Sequence, residues 1–294
     1  MEIRVLRYFL EVARRGGLTK ASAHLHVSQP TLSRQLKELE EELGKKLFVR
    51  SNYSIHLTEE GLLLKKRAED ILGMVDKVAD EFRSMGAVSG GDIHIGCAES
   101  EGFAKFVKII KGLQADYPRI RYHLYSSDSE SVTEKLDRGI LDFAIIAHEP
   151  DRSKYNSLPI PYKNRWGLIL RRDDVLAEKE AIQKDDLAAL PLICSRQGLD
   201  EELMAWLGET QDRLNIVATY DMIFNASIMA KEGFGYVLGY DKIIATGEDR
   251  ALCFRPLAPL QESSMYVIWR KYNAFTPVAL LLLEEMGKQF SVAD

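Results

Sequence analysis

Between residues 59 and 87 the sequence leaves the backbone little choice. Leu64, Ala68, Ile71, Val75, Val78, Phe82 and Met85 recur at spacings of 4, 3, 4, 3, 4 and 3, which holds apolar side chains on one stripe of a helix. Thr58 followed by Glu59 and Glu60 is a start signal, a capping hydroxyl ahead of an acidic first turn. "SGG" (Ser89–Gly91) is a flexible break at the far end. About 27 residues at 1.5 Å rise make a rod of roughly 40 Å. A stripe sustained this long suits a coiled-coil seam that pairs two chains. Packing against the helix's own chain satisfies the same periodicity, so spacing leaves both open. Either way the 294-residue chain divides into residues 1–58, 59–89 and 90–294.

These parts differ in charge. Residues 1–58 hold ten Lys/Arg against six Asp/Glu, residues 59–89 five against seven, and the remainder 24 against 31, within a net charge of −5. A basic head on an acidic body fits a DNA-reading module joined to a domain that does not touch DNA. Hydrophobic residues at 46% and charged residues at 28% are ordinary for a soluble globular protein. The longest apolar run, "VALLLL" (Val278–Leu283), is too short to span a bilayer, and the N-terminus lacks a signal-peptide pattern. A cytoplasmic location without a membrane partner is therefore expected. Cys97, Cys194 and Cys253 are odd in number and widely spaced, which suits a reducing compartment.

Within the head, Ile3, Leu6, Leu10 and Ala13 make one apolar face of a first helix that Gly16-Gly17 ends. Thr19 is the expected N-cap of a second, "KASAHLH", whose Ala21 and Ala23 allow close packing. Ser28 caps a third, with Pro30 in its first turn. Two helices joined this tightly are a helix-turn-helix candidate. Leu32, Leu36, Leu39 and Leu43 turn inward, while Pro30, Arg34, Lys37 and Glu41 turn outward, flanked by Thr31 and Ser33. Gln29, Thr31, Ser33 and Arg34 suit base edges and phosphates. The acidic "ELEEE" follows at the end that a recognition helix keeps out of the groove. The DNA-binding candidates are Ser28, Gln29, Pro30, Thr31, Ser33, Arg34, Lys37 and, in the wing-like "KKLFVRSNYSIHLTEEG", Arg50. An ordinary amphipathic helix with a solvated acidic face has the same spacing.

The last two hundred residues alternate strand-like and helical segments: "DIHIG", "EGFAKFVKIIKGLQADYP", "RIRYHLY", "SVTEKLDRGI", "LDFAIIA", then after Pro159 and Pro161 "RWGLILR", "PLICS", "NIVATY", "MIFNASIMAKEG" and "YVLGY". Alternation of this kind builds an α/β domain with helices on both faces of its sheet. Ligands of such sheets bind at the carboxyl ends of strands. The strand-exit candidates are Glu99, Ser100, Ser127, Asp128, His148, Ser195 and Gln197. His148 reads equally as a strand-end polar residue. "GFGYVLG" follows a helix, the reverse of what a pyrophosphate loop requires, and reads as a turn. His24 and His26 point apart and make poor joint ligands. With no nucleophile elbow, phosphate loop or metal-spaced cluster, the expectation is a protein that is not an enzyme and carries no cofactor and no metal.

The stretch "FLEVARRGGLTKASAHLHVSQPTLSRQLKELEEELGKKLFVRSNYSIHLTEEG" closely resembles the DNA-binding head of LysR-type transcriptional regulators. "DYPRIRYHLY", "DRGILDFAII" and "AKEGFGYVLGY" continue the resemblance through the body. It implies an α/β multidomain chain: a winged helix-turn-helix, a long dimerisation helix, and a two-lobed effector-binding domain like periplasmic binding proteins. Lobe one would be residues 90–161 and 266–294, and lobe two 162–265. It also implies promoter DNA and RNA polymerase as partners, a homodimer or homotetramer, and a small-molecule effector in the cleft that modulates promoter binding or bending. By position, Gln29, Pro30, Thr31, Ser33, Arg34 and Arg50 would contact DNA. Ser100, Ser127, Asp128, His148, Ser195 and Gln197 would line the cleft.

The chain departs from the family in two places. The family's wing arginines are replaced by Tyr53, Ser54 and His56, so fewer phosphate contacts and a shallower salt dependence are expected. Glu99 beside Ser100 would disfavour an anionic effector, or pair with a cationic one, if it points inward. Some family members sense oxidants through paired cysteines, but Cys194 has no near neighbour and "LIC" reads as buried. A competing reading makes the body a solute-binding or enzymatic domain and the head a protein-interaction module. Gln29, Arg34 and Arg50 occurring together argue against that one.

Overall fold

The computed structural model describes residues 1–50, 55–83, 90–188, 190–196, 201–247, 250–273 and 275–290. The chain forms two units, Met1–Arg83 and Ser84–Asp294. Met85 of the stripe, Ser89, Gln197, and Tyr53 and Ser54 of the wing lie outside the described residues, as does the side chain of Arg50.

The head comprises α1 (Ile3–Arg15), α2 (Leu18–Leu25), α3 (Gln29–Leu43), β1 (Phe48–Arg50), β2 (Ile55–Leu57) and α4 (Glu59–Arg83). Helix α1 buries Val5, Leu6, Phe9 and Val12, and leaves Ile3 40% exposed. The core stripe is thus rotated from the one expected, sharing Leu6 fully and Leu10, which packs against the core's edge. Two apolar stripes overlap in this helix, and the winning one carries Phe9, whose ring packs 5.2 Å from that of Phe48 and buries more area. Helix α2 starts at Leu18, with Gly17 at the cap position, so Thr19 is not the N-cap. Buried Leu18 is drawn into the first turn, and the Thr19 carbonyl accepts from the Ser22 hydroxyl at 3.0 Å. Ala21 is buried as expected, whereas Ala23 is exposed.

Helix α3 follows its capping signal: Ser28 Oγ accepts from the Thr31 N–H at 3.3 Å. Leu32, Leu36 and Leu39 are buried, but Leu43 is 40% exposed because the helix ends on Gly44 at φ +65°. Strands β1 and β2 pair antiparallel, Phe48 opposite Leu57. Thr58 Oγ1 accepts from the Gly61 N–H at 2.9 Å and donates to the Lys46 carbonyl at 2.7 Å, tying the start of α4 to the wing. A Cβ at position 61 would lie 2.2 Å from the Leu47 carbonyl oxygen, so only glycine permits this approach.

The stripe on α4 has two environments. Ala68 and Leu72 are buried in the head's core, with Leu64 and Ile71 packed against it. Val78 and Phe82 are 43% and 68% exposed. The stripe therefore packs within the chain as far as Leu72, Asp76 still pairs with Arg7 at 2.6 Å, and Val78 and Phe82 beyond it face outward.

The body contains β3 (Gly91–Cys97), α5 (Phe103–Asp116), β4 (Ile120–Ser126), α6 (Ser129–Asp137), β5 (Phe143–Ile146), β6 (Tyr155–Arg171), β7 (Ile182–Gln183), α7 (Lys184–Leu187), β8 (Pro191–Ser195), α8 (Glu201–Leu207), β9 (Asn215–Tyr220), α9 (Ile223–Lys231), β10 (Tyr236–Tyr240), β11 (Leu252–Ala258), β12 (Glu262–Arg270) and α10 (Pro277–Phe290). Its strands run β4-β3-β5-β12-β6-β10-β8-β9, with β11 joined to β6 and β7. The β3, β4 and β5 pairings are parallel, as are those of β8 with β9 and β10, whereas β12 and β6 run antiparallel. Each half of this curled sheet carries cores on two faces, one half around Phe106 and Phe143 and around Val132 and Leu136. In the other half they lie around Leu168 and Leu192 and around Ile169 and Val237. The result is a two-lobed α/β domain.

Strand β6 is longer than "RWGLILR" and runs straight through Pro159 and Pro161. Its register against β12 slips between Ser264, opposite Lys163, and Met265, opposite Ile160. Pro161 and Tyr162 thus stand in a bulge where the ladder is interrupted and a missing N–H is harmless. The strand thereby pairs with β12 over its first part and with β10 and β11 over its last. Among the described residues no helix is long and apolar enough to cross a membrane.

Candidate functional site

Two surfaces collect the candidate residues. On the head, Ser28, Gln29, Pro30, Thr31, Arg34 and Lys37 are exposed and Ser33 half-buried, along the first two turns of α3. The first turn ends in N–H groups that point outward with the positive end of the helix dipole. Its cap is a neutral hydroxyl, with Ser28 Oγ and Thr31 Oγ1 2.8 Å apart. Arg34 rests 3.7 Å from Glu38, and Lys37 3.4 Å from Glu41. Exposed pairs of this kind contribute little stability, so both cations are cheaply released to another anion.

The acidic run "ELEEE" hides one residue with a different task. Glu40 Oε1 accepts from the backbone N–H groups of Leu47 at 2.8 Å and Phe48 at 3.3 Å, while Oε2 meets Lys46 Nζ at 2.8 Å. Burial raises the Glu40 carboxyl, but Lys46 and the two N–H groups outweigh it and hold the carboxyl below its usual range. Glu40 is therefore an anchor that fixes the wing to the C-terminal half of α3. Sequence spacing gave no sign of this, because a buried glutamate and a solvated one look alike in a run of four.

In the body, a cavity of about 810 Å³ opens where the strands of the two lobes end. Glu99, Ser127, Asp128, His148 and Ser195 all line it. Ser100 stands outside that lining: its hydroxyl accepts from the Gly102 N–H at 2.9 Å and bonds Asn164 and Met265, holding the β3 exit loop to β6 and β12. Glu99 points across the cleft, its Oε2 accepting from the Ile223 N–H at 2.7 Å at the start of α9. Asp128 accepts from the Ser131 N–H at 2.7 Å and caps α6. His148 is exposed, with Nδ1 3.0 Å from the Glu149 carbonyl.

Four aromatic residues that were not singled out from sequence complete the lining: Trp166, Tyr220, Tyr240 and Tyr266. Trp166 Nε1 donates to Ser263 Oγ at 2.9 Å, and the rings of Trp166 and Tyr240 lie 4.4 Å apart. The Tyr220 hydroxyl donates to the Leu238 carbonyl at 3.0 Å. The Tyr266 hydroxyl bonds Glu149 and, with Arg152, holds the Glu149 carboxyl below its usual range. The strand-exit rule, applied to β9 and β10 as well, would have reached Tyr220 and Tyr240. Among the described residues no cluster of three or more His, Cys, Asp or Glu is arranged to hold a metal ion.

Comparison with known proteins agrees with both halves of this arrangement. Residues 3–62 match the family described as bacterial regulatory helix-turn-helix protein, lysR family, and residues 86–291 match the LysR substrate binding domain. The chain belongs to the LysR family of transcriptional regulators. It is thus a DNA-binding regulator with an effector-binding domain.

Among relatives of this LysR-type regulator, an HTH-type transcriptional regulator YcgK of Bacillus subtilis is 32% identical over 240 residues, covering 80% of this chain and 67% of that protein. A hydrogen peroxide-inducible genes activator of Pectobacterium carotovorum is 30% identical, covering 67% of this chain and 65% of that protein. These matches therefore span about two thirds of each relative's length. The crystal structure of full-length CbnR complexed with its target DNA shares the fold, with a TM-score of 0.74 and 20% identity over the whole of both chains. The likeness to a peroxide-responsive protein does not extend to an obvious sensing thiol. Cys97, Cys194 and Cys253 are all buried, and burial pushes Cys97 up to about 12 and Cys194 up to about 11. Sensing thiols are the exposed, low-pKa ones.

Proposed function

We propose that this regulator reads a promoter with the first two turns of α3 and changes its grip on DNA when a small molecule occupies the cavity between its lobes. Ser28, Gln29, Pro30, Thr31, Ser33, Arg34 and Lys37 face the major groove, with Gln29 pairing to a base edge and Arg34 and Lys37 to phosphates or guanine. Arg50, at the end of β1, reaches the backbone beside the groove. Glu99, Ser127, Asp128, His148 and Ser195 contact the effector, with Gln197 joining them and Ser100 acting from behind. The observation that carries this reading is the pairing, in one chain, of an exposed, neutrally capped recognition helix with a polar-rimmed cavity of about 810 Å³.

Exposed Val78 and Phe82 suit a dimer seam along the second half of α4, and two heads on one dimer fit two half-sites of a promoter. A homodimer that doubles into a homotetramer, working beside RNA polymerase in the cytoplasm and without enzymatic activity, completes the proposal. Gel shift on the gene's own upstream region tests it. Sequence-dependent, salt-sensitive binding is expected, weakened by about 1–3 kcal/mol in Arg34→Ala and relaxed in base preference in Gln29→Ala. Binding that ignores both sequence and salt would sink the proposal.

A further inference from the structure

The chemistry lining the cavity says what kind of molecule it takes. Six carboxylates line it, those of Glu99, Asp128, Glu130, Glu149, Asp151 and Asp221, and no Lys or Arg is among the described lining residues. Three of the six have a cation beside them: Glu149 with Arg152 at 2.6 Å, Asp221 with Arg196 at 3.0 Å, and Asp151 with Lys154 at 4.0 Å. Among the described residues neither Glu99 nor Glu130 forms an ion pair.

Among the described residues, two places where an anion could be held already carry a carboxylate of the chain's own. The N-termini of α6 and α9 both reach the cavity, since Ser129 and Ile223 line it, and such N-termini are where a ligand carboxylate or phosphate normally binds. Asp128 occupies the first, through the Ser131 N–H at 2.7 Å. Glu99 occupies the second, through the Ile223 N–H at 2.7 Å. His148, the one basic side chain in the lining, turns Nδ1 to the carbonyl of Glu149. Four aromatic residues, Trp166, Tyr220, Tyr240 and Tyr266, also line the wall, and the faces of Trp and Tyr rings attract cations.

Resting on the cleft reading above, we propose that the effector is an organic cation, an amine or amidine with an apolar or aromatic body, and that carboxylates are excluded. The ammonium sits toward Glu99 and Glu130, and the body lies against Trp166, Tyr220 and Tyr240.

Calorimetry on the full-length protein tests this, with tryptamine and benzylamine as cationic probes, benzyl alcohol as neutral, and indoleacetate and benzoate as anionic. The amines are expected to bind about tenfold or more tighter than the matched acids. Glu99→Gln and Glu130→Gln should each weaken amine binding several-fold while sparing benzyl alcohol. Acids binding as well as amines, amine affinity indifferent to both substitutions, or no amine binding at millimolar concentration would overturn the inference. Ser264→Trp, which places a bulky ring in the cavity, separates the two levels. Amine binding that survives it removes the cleft reading itself, whereas acid binding abolished by it removes only the preference for cations.

Discussion

The N-terminus of α3 and the N-termini of α6 and α9 each follow an extended residue and are finished in opposite ways. At α3 the cap is the hydroxyl of Ser28, which satisfies an N–H without cancelling the positive end of the dipole. At α6 and α9 the caps are the carboxylates of Asp128 and Glu99, which satisfy an N–H and neutralise the end as well. The helix proposed to meet phosphates stays electropositive, while the two helix ends beside the cavity each carry a carboxylate. The carboxylates of the head follow the same division. Glu38, Glu40 and Glu41 are each held by a cation, away from the first turn of α3.

The sharpest way to break this contrast is to give α3 the other kind of cap. Ser28→Asp should keep thermal stability within about 0.5 kcal/mol, because Asp caps as well as Ser. It should lower DNA affinity by about tenfold or more, since the new charge faces phosphates. Unchanged affinity in a titration at fixed salt would remove the electrostatic half of the comparison. Next in size is Glu40→Gln, which loses the ion pair to Lys46 and weakens two bonds to N–H groups. A loss of about 1–3 kcal/mol in the head's unfolding transition is expected, and a melt identical to the parent would show that the anchor is idle.

Glu99→Gln keeps an oxygen to accept from Ile223 but drops the charge. Denaturant unfolding of the body should show a loss of about 0.5–1 kcal/mol, and a gain would mean that the cap is strained.

The smallest effect concerns acid. Arg14, then Arg15, hold the Glu11 carboxyl down to about 2 from its ordinary 4.5. Because the folded value is the lower one, its contribution is complete above about pH 4.5 and fades as pH falls toward 2. The arginines are exposed, so solvent screens the pair. Glu11→Gln should slightly flatten the acid limb of the head's stability curve, and an identical acid limb would remove this pair from the account.

Local signals were legible in the sequence where neighbours in the chain decide the outcome. The Ser28 cap, the inward Leu32, Leu36 and Leu39, the Thr58 start and the turn at Gly233, with φ +78°, all follow from adjacent residues. Strand β12 was not singled out, because its place depends on β5 and β6, far earlier in the chain. The direction of Glu99 was unreadable for the same reason: its partner, Ile223, lies 124 residues away. The face of α1 was ambiguous because two apolar stripes overlap, and the choice between them is made by packing against α2, α3 and α4.

The burial of Ala68 and Leu72 in the head's core bears on how this protein can be cut. A fragment ending at residue 58 holds every residue proposed to contact DNA yet lacks the α4 side chains that pack against the head's core. It would be produced as a sticky, partly open species. Carrying the fragment on to residue 83 restores that packing, so the smallest autonomous reader of DNA includes most of the rod.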